Sequence, residues 1–220
     1  MLHPSRLLTA ALVALLTTTP TLLPAAQGEP RLRERFVNKA TLPDEPVWIA
    51  GLKNKRKQFR PWDKFVDGED WLDGFTVTVL NISGKAITSL HVAIRFPRPE
   101  GHEGSERPPL SYSLRWGPDP FTPEYQSRDK SKVVKPKEKL DLVLEGEHYE
   151  AVRHLLKELK YQSVERIELM VLGAGFEDGT VWFGGSKFRP DPEHPGKFLR
   201  EKRQPGGARV PRQFFDFRLP

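Results

Sequence analysis

Residues 90–96 read LHVAIRF, with leucine, valine, isoleucine and phenylalanine at every second position. Successive side chains of a β-strand point to opposite faces, so this order predicts a strand with one face in a core and the other toward water. The same alternation recurs in FTVTV at 75–79, LSYSLRW at 110–116, LDLVL at 140–144 and IELMV at 167–171. We therefore expect the following residues to be buried together: Leu90, Val92, Ile94, Leu140, Leu142, Leu144, Ile167, Leu169 and Val171.

Turn-forming residues separate these stretches. The segment NISGK at 81–85 joins two of them, and we expect a hairpin there in which Gly84 supplies the positive φ that such a turn needs. The segment EDGT at 177–180 predicts a second hairpin, because Asp-Gly between apolar runs is a strong hairpin signal. Short strands with such turns predict a mainly β fold, an antiparallel β-sandwich of about seven to nine strands.

One segment follows a helical period instead. Val152, Leu155, Leu156 and Leu159 lie at positions i, i+3, i+4 and i+7, which places them on one face of a helix. We expect a short amphipathic helix at about 147–160, lying over an open end or an edge of the sandwich.

Two segments resemble known exported proteins. VLNISGKAI at 79–87, followed by LHVAI at 90–94, resembles the V-x-N-x-S-G-K-x-I hairpin of small exported immunoglobulin-like modules, of which the FxLYD-type domains are the nearest group. FEDGTVW at 176–182 resembles the closing hairpin of uncharacterised exported bacterial proteins. The resemblance covers about 100 residues, the usual size of an immunoglobulin-like sandwich. It implies an immunoglobulin-like fold and carries no catalytic position.

The N-terminus has the order of a secretory signal peptide. Arg6 is followed by an apolar run at 7–16 and by small residues at 24–28, with cleavage expected before Glu29 or after Ala26. The apolar run is about ten residues long, short of the ~20 that span a bilayer. We therefore expect an exported protein, periplasmic or extracellular, whose mature chain has no transmembrane segment. The chain lacks cysteine, which excludes disulfides and a lipid anchor on cysteine.

The rest of the chain divides into two parts by composition. Residues 29–185 contain the strand signals and are expected to form the sandwich domain. Residues 186–220 are rich in proline and glycine and carry nine basic and four acidic side chains, so we interpret them as a basic tail. The apolar end of the tail, at 214–219, is expected to dock back on the domain.

The sequence contains few patterns that indicate catalysis or metal binding. It has no Gly-x-Ser-x-Gly nucleophile motif, and His148 and His154 are six residues apart, about 240° around a helix, so they face apart. Glu168 and Asp178 are candidate carboxylates for glycoside hydrolysis, although spacing alone does not identify such a pair. We assign no catalytic residue, no metal site and no cofactor.

A basic run flanked by aromatic residues is the candidate binding surface. Its partner would be an anionic glycan or the envelope surface, while the alternative is a solvated hairpin or edge strand, since lysines at a sheet edge prevent aggregation. Trp62 and Trp71 flank an acidic segment at 63–73, which we interpret as turn-forming, and they would either stack on sugar rings or pack. The candidate residues are Lys53, Lys55, Arg56, Lys57, Phe59, Arg60, Trp62 and Trp71.

Two functions remain open from the sequence. The first is an exported, non-enzymatic β-sandwich protein with an interaction or structural role at the cell envelope. The alternative is a glycan-active hydrolase or a carbohydrate-binding module. The missing nucleophile and metal patterns favour the first.

Overall fold

A computed structural model describes residues 32–98, 109–122 and 132–201. These residues form two packed β-sheets and one short helix, which confirms the predicted mainly β sandwich. There are twelve strands among them, more than the seven to nine expected, because several have only two to four residues. The elements are β1 Arg33–Ala40, β2 Val47–Lys53, β3 Gln58–Phe59, β4 Lys64–Asp67, β5 Phe75–Asn81, β6 Ile87–Arg95, β7 Ser111–Trp116, β8 Lys139–Leu144, α1 Gly146–Glu158, β9 Arg166–Phe176, β10 Val181–Phe183, β11 Ser186–Pro190 and β12 Phe198–Arg200.

The larger sheet is organised around β9. Strand β6 pairs with β9 along one side and carries β7 at its other edge. On the opposite side, β1 and then β4 flank the first half of β9, while β10, β11 and β12 follow its second half. The smaller sheet has the order β3-β2-β5-β8.

The core lies between the two sheets, as the alternation predicts. Eight of the nine residues expected in it are buried, and Leu140 is half-buried and packed against it. The outer face of β6 differs from expectation, since Ala93 is buried and His91 is largely covered. Phe183 lies against Gly173, which is the cross-strand neighbour of His91. Phe183 belongs to an aromatic cluster that also contains Phe121, Phe188 and Phe198.

Strand β1 lacks an apolar alternation and pairs in parallel with β9, whereas the other pairs are antiparallel. Two of its inward positions are cationic, Arg35 and Lys39, and both are buried. The guanidinium of Arg35 donates hydrogen bonds to the hydroxyl of Ser163 and to two backbone carbonyl oxygens. Lys39 donates to Glu45. These partners allow a polar strand to lie inside the sandwich.

The predicted hairpin at 81–85 is wrong. Strand β5 belongs to the smaller sheet and β6 to the larger, so the segment crosses between the sheets instead of joining paired strands. Gly84 does not have a positive φ. The turn is held by Asn81, whose side-chain amide donates to the carbonyl oxygens of Lys85 and Val134 and whose side-chain oxygen accepts from Ser83.

The second predicted hairpin, at 177–180, is confirmed. Strands β9 and β10 are antiparallel neighbours, and Gly179 has a φ of 83°. The Asp178 carboxylate accepts hydrogen bonds from the backbone N–H and the hydroxyl of Thr180.

The interpretation of 186–220 as a tail is wrong for its first part. Strands β11 and β12 lie within it and extend the larger sheet. Phe188 and Phe198 fix them against Phe121, which outweighs the local proline content. The expected docking of 214–219 and the signal peptide at 1–28 lie outside the described residues.

The predicted helix is present as α1, and it packs lightly. Val152 is buried and Tyr149 and Leu156 are half-buried against the core, whereas Leu155 and Leu159 are exposed. His148 at its first turn is hydrogen-bonded to the Tyr112 hydroxyl of edge strand β7, at 2.6 Å. In the part of the chain that the structure describes, no helix combines the length and apolar character that crossing a membrane requires.

Candidate functional site

The basic run predicted as a binding surface forms the turn between β2 and β3. Asn54 organises this turn, because its side-chain oxygen accepts hydrogen bonds from the backbone N–H groups of Arg56 and Lys57. Its amide donates to Asp67 at 2.9 Å. The turn is therefore held against the acidic segment at 63–73.

Four of the five cations of the run, all but Arg60, lie within 4 Å of a carboxylate of the same chain. Arg56 donates to both Asp67 and Asp70. Lys55 is 2.6 Å from Asp73. The same holds for Lys53, which contacts Asp141 of β8 at 2.8 Å. Lys57 donates to the carbonyl oxygen of Val66 at 2.5 Å. The run is thus largely engaged within the fold.

Asp67 is the centre of this network. Its side chain is buried, and burial by itself raises a carboxyl pKa. Hydrogen bonds from Asn54, from the Gly68 N–H and from Arg56 outweigh burial and hold the pKa of Asp67 below its ordinary value. Asp67 is therefore a charged structural group that ties the turn to β4.

The aromatic members of the predicted surface are divided between the core and the outside of the fold. Phe59 and Trp71 are buried, and Trp71 donates its indole N–H to the Val164 carbonyl oxygen at 2.8 Å. Both pack with Phe65 and Phe75 in an aromatic cluster of the core. The prediction that Trp71 stacks on a sugar is therefore wrong. Trp62 is 56% exposed, and Arg60, two positions before it in the sequence, is exposed as well.

The two carboxylates considered for glycoside hydrolysis lie far apart. Glu168 is near the start of β9 and Asp178 follows its end, so the length of the strand separates them by more than about 25 Å. A glycosidase pair needs roughly 5–10 Å. Both are engaged elsewhere, Glu168 with Arg95 and Asp178 with Lys85. Hydrogen bonds from Lys85 and Thr180 overcome burial and keep the pKa of Asp178 below its ordinary value.

The histidines of α1 have separate partners, as their spacing predicts. His148 contacts Tyr112 and His154 contacts Glu158. Within 32–98, 109–122 and 132–201, no group of three or more potential metal ligands comes together.

A groove of about 460 Å³ lies at one end of the sandwich, among the loops that follow β1, β5 and β9. Phe176 and Trp182 line its floor. Its rim carries charges that are bound within the chain, since Lys85 contacts Asp178 and Glu45 contacts Lys39. Three further charged residues also line the groove, Asp44, Lys187 and Glu201.

Among the described strands and helix, the outer face of the smaller sheet carries the most exposed aromatic side chain. Trp48 of β2 is 58% exposed there. Its cross-strand neighbour is Leu80 of β5, whose neighbour in turn is Lys139 of β8. Two residues along, Thr78 lies opposite Asp141. We call this surface the Trp48 face, and it consists of Trp48, Lys53, Thr78, Leu80, Lys139, Asp141 and Val143.

The sequence carried a signal for the Trp48 face. Trp48 lies between Val47 and Ile49, which are both buried, so the period of two places it on the opposite face. The run VWIAGL at 47–52 is apolar throughout, and this hides the alternation.

Hydrogen bonds connect the polar members of the Trp48 face. Thr78 donates its hydroxyl to Asp141 at 2.6 Å, and Lys53 donates to the other carboxylate oxygen at 2.8 Å. The hydrogen bonds from Lys53 and Thr78 lower the pKa of Asp141, so it is ionised at neutral pH. The face thus combines an exposed indole with a fixed polar network.

These geometries are the basis for any functional assignment, since no protein-family model, no curated protein and no solved structure matches the chain.

Proposed function

We propose that the chain is an exported, non-enzymatic interaction protein of the cell envelope that binds its partner through the Trp48 face. The observation that carries this proposal is the exposure of Trp48 on a paired strand, while Trp71 and Trp182 are buried in the core. A large aromatic side chain held outward on a rigid sheet contributes little to folding and provides a preorganised contact for a partner.

The geometry of the carboxylates supports binding over glycoside hydrolysis. Glu168 and Asp178 lie at opposite ends of β9, and both are bound in ion pairs. A general acid needs a raised pKa, whereas the described carboxyl groups with a shifted pKa have it lowered: Asp67, Asp70, Asp141, Asp178 and Asp191.

An immunoglobulin-like arrangement is part of the same proposal. It is supported by two packed sheets and by a crossover from β5 to β6 between them, which immunoglobulin-like sandwiches also use. The parallel β1–β9 pair and the helix α1 are additions to such a domain.

Export is supported by the order of charged, apolar and small residues at 1–28. N-terminal sequencing of protein collected outside the cytoplasm is expected to begin at Glu29, or at Gln27 after cleavage behind Ala26. Protein that begins at Met1 and stays in the membrane would overturn the export part of the proposal.

The binding part is tested by sedimenting the full chain with a bacterial envelope fraction. The wild type is expected in the pellet, and Trp48→Ala is expected to stay in the supernatant. Trp62→Ala is the matched control, because Trp62 is equally exposed but belongs to the predicted basic surface. Failure of the wild type to sediment, or loss of sedimentation in Trp62→Ala with Trp48→Ala unaffected, contradicts the proposal.

A further inference from the structure

The chemistry of the Trp48 face restricts the class of partner. The indole of Trp48 offers an apolar plane, which packs against a flat, apolar face of a ligand. The polar network next to it can form further hydrogen bonds. The Lys53 ammonium has two further N–H donors, and each oxygen of Asp141 has a further lone pair. A partner for this face has to be apolar on one side and rich in hydroxyl groups at its edge.

A sugar ring has both properties. The C–H bonds of a pyranose form a flat apolar face, and its hydroxyl groups point outward around the ring. Hydroxyl groups both donate and accept, so they match the mixed donors and acceptors of Lys53, Thr78 and Asp141. A protein surface would instead need a larger apolar area than Trp48, Leu80 and Val143 provide.

The spacing of the face indicates how many sugar rings it takes. Thr78 is one strand across and two residues along from Trp48, which is about 8 Å, and Asp141 is a further strand away, at about 12 Å. This is longer than a single sugar ring. A ligand that contacts both the indole and the carboxylate therefore has at least two linked rings.

The charges of the face favour an acidic ligand. Two lysines, Lys53 and Lys139, stand against one aspartate, Asp141. Lys139 is exposed at the end of the row that contains Trp48 and Leu80. Its ammonium is placed to attract a carboxylate on a ring stacked near the indole.

We infer that the Trp48 face binds a polysaccharide of acidic sugars, with one ring on Trp48, a second at Lys53, Thr78 and Asp141, and a sugar carboxylate near Lys139. This inference rests on the proposed function, since it names the ligand of the same face.

Affinity electrophoresis of the full chain tests the ligand class. The gels contain polygalacturonate, alginate or hyaluronate, and neutral galactan serves as the uncharged comparison. We expect retardation by at least one acidic polysaccharide and less by galactan. Trp48→Ala is expected to weaken that binding about tenfold, which corresponds to the loss of one aromatic stacking contact. Trp62→Ala is expected to bind as the wild type does.

Two further measurements separate stacking from charge. Lys139→Gln is expected to lose the preference for the acidic polysaccharide and to keep residual binding that still depends on Trp48. Oligosaccharides of two or three rings are expected to compete, while the monosaccharide is not, because one ring does not reach from Trp48 to Asp141. Circular dichroism spectra and melting curves matching the wild type establish that each variant is folded.

The outcomes distinguish this inference from the proposed function. Absence of retardation by all three acidic polysaccharides, or retardation that Trp48→Ala leaves unchanged, overturns the acidic polysaccharide. If envelope sedimentation still depends on Trp48 in that case, the interaction function stands with another ligand. If neither polysaccharide retardation nor envelope sedimentation depends on Trp48, the inference and the proposed function are both overturned.

Discussion

Lys39 and Glu45 form an ion pair of 2.6 Å in which both side chains are almost completely buried. Glu45 also accepts the backbone N–H of Leu42, so the pair closes the loop that leads from β1 to β2. It ties β1 of the larger sheet to the loop that leads into β2 of the smaller sheet, at the end where the groove lies.

Breaking this pair is expected to be costly, while removing both charges is expected to be tolerated better. Lys39→Met leaves Glu45 charged and buried without its partner, which costs about 3–5 kcal/mol of unfolding free energy. The double variant Lys39→Met/Glu45→Gln leaves no buried charge and keeps an acceptor for Leu42. Urea unfolding of the single and double variants measures the difference. Equal destabilisation of both would show that the pair is not buried as described.

His91 is expected to make the protein less stable in mild acid. Burial of the imidazole, with Arg115 nearby, lowers the pKa of His91 from 6.5 to about 4. Between those values the unfolded chain binds a proton that the folded chain does not, so stability falls as the pH drops from about 6.5 to 4, by up to about 3 kcal/mol.

Urea unfolding of wild type and His91→Leu at pH 7, 5.5 and 4.5 measures this effect. The difference in stability between the two proteins is expected to shift toward the variant as the pH falls. Comparing differences removes the contribution of groups that titrate independently of His91. A difference that does not vary with pH would contradict the burial of His91.

The two turn glycines are expected to respond in opposite ways to alanine. Gly84 does not have a positive φ and has open space around it, so Gly84→Ala is expected to leave stability unchanged or to raise it by about 0.5 kcal/mol. Gly179 has a φ of 83°, and Gly179→Ala is expected to cost about 1–2 kcal/mol. Thermal unfolding compares the two, and a large loss in Gly84→Ala would support the hairpin that the structure rejects.

The cations of the basic run are expected to differ in how much each stabilises the fold. Arg56→Ala removes a hydrogen bond from the buried Asp67 and is expected to cost about 1–3 kcal/mol. Lys55→Ala removes an exposed pair with Asp73 and is expected to cost about 0.5 kcal/mol or less. Chemical denaturation of the two variants tests this. An equally small loss of unfolding free energy in both would mean that Arg56 contributes no more than an exposed ion pair.

Sequence patterns found the strands along which apolar and polar residues alternate. Strands β6, β8 and β9 alternate clearly, and the hairpin at 177–180 has a turn with a defined chemistry, so these were predictable. Strand β1 was not predictable, because its inward residues include the cations Arg35 and Lys39, and the partners of Arg35 lie far along the chain. Strands β11 and β12 depend on contacts of Phe188 and Phe198 with Phe121, which local proline content conceals.

The candidate surface was less predictable than the fold. Sequence order placed Lys55, Arg56 and Lys57 beside one another, but it did not reveal that the acidic segment folds back to neutralise them. It placed Trp62 and Trp71 near each other, although the first is exposed and the second is 1% exposed. Whether a charge or an aromatic ring is available to a partner depends on tertiary contacts, which a local pattern does not contain.

The parallel pairing of β1 with β9 sets an order of events for the export that we propose, in which the chain is threaded through a secretion channel. Asn38 and Glu168 are neighbours across this pair and lie 130 positions apart. The N-terminal strand therefore reaches the channel exit long before its inner neighbour does, and the larger sheet stays incomplete until β9 has followed. Threading requires an extended chain, and this topology keeps β1 without its inner neighbour β9 while the chain passes. In the export that we propose, the core would therefore close only after β9 has left the channel.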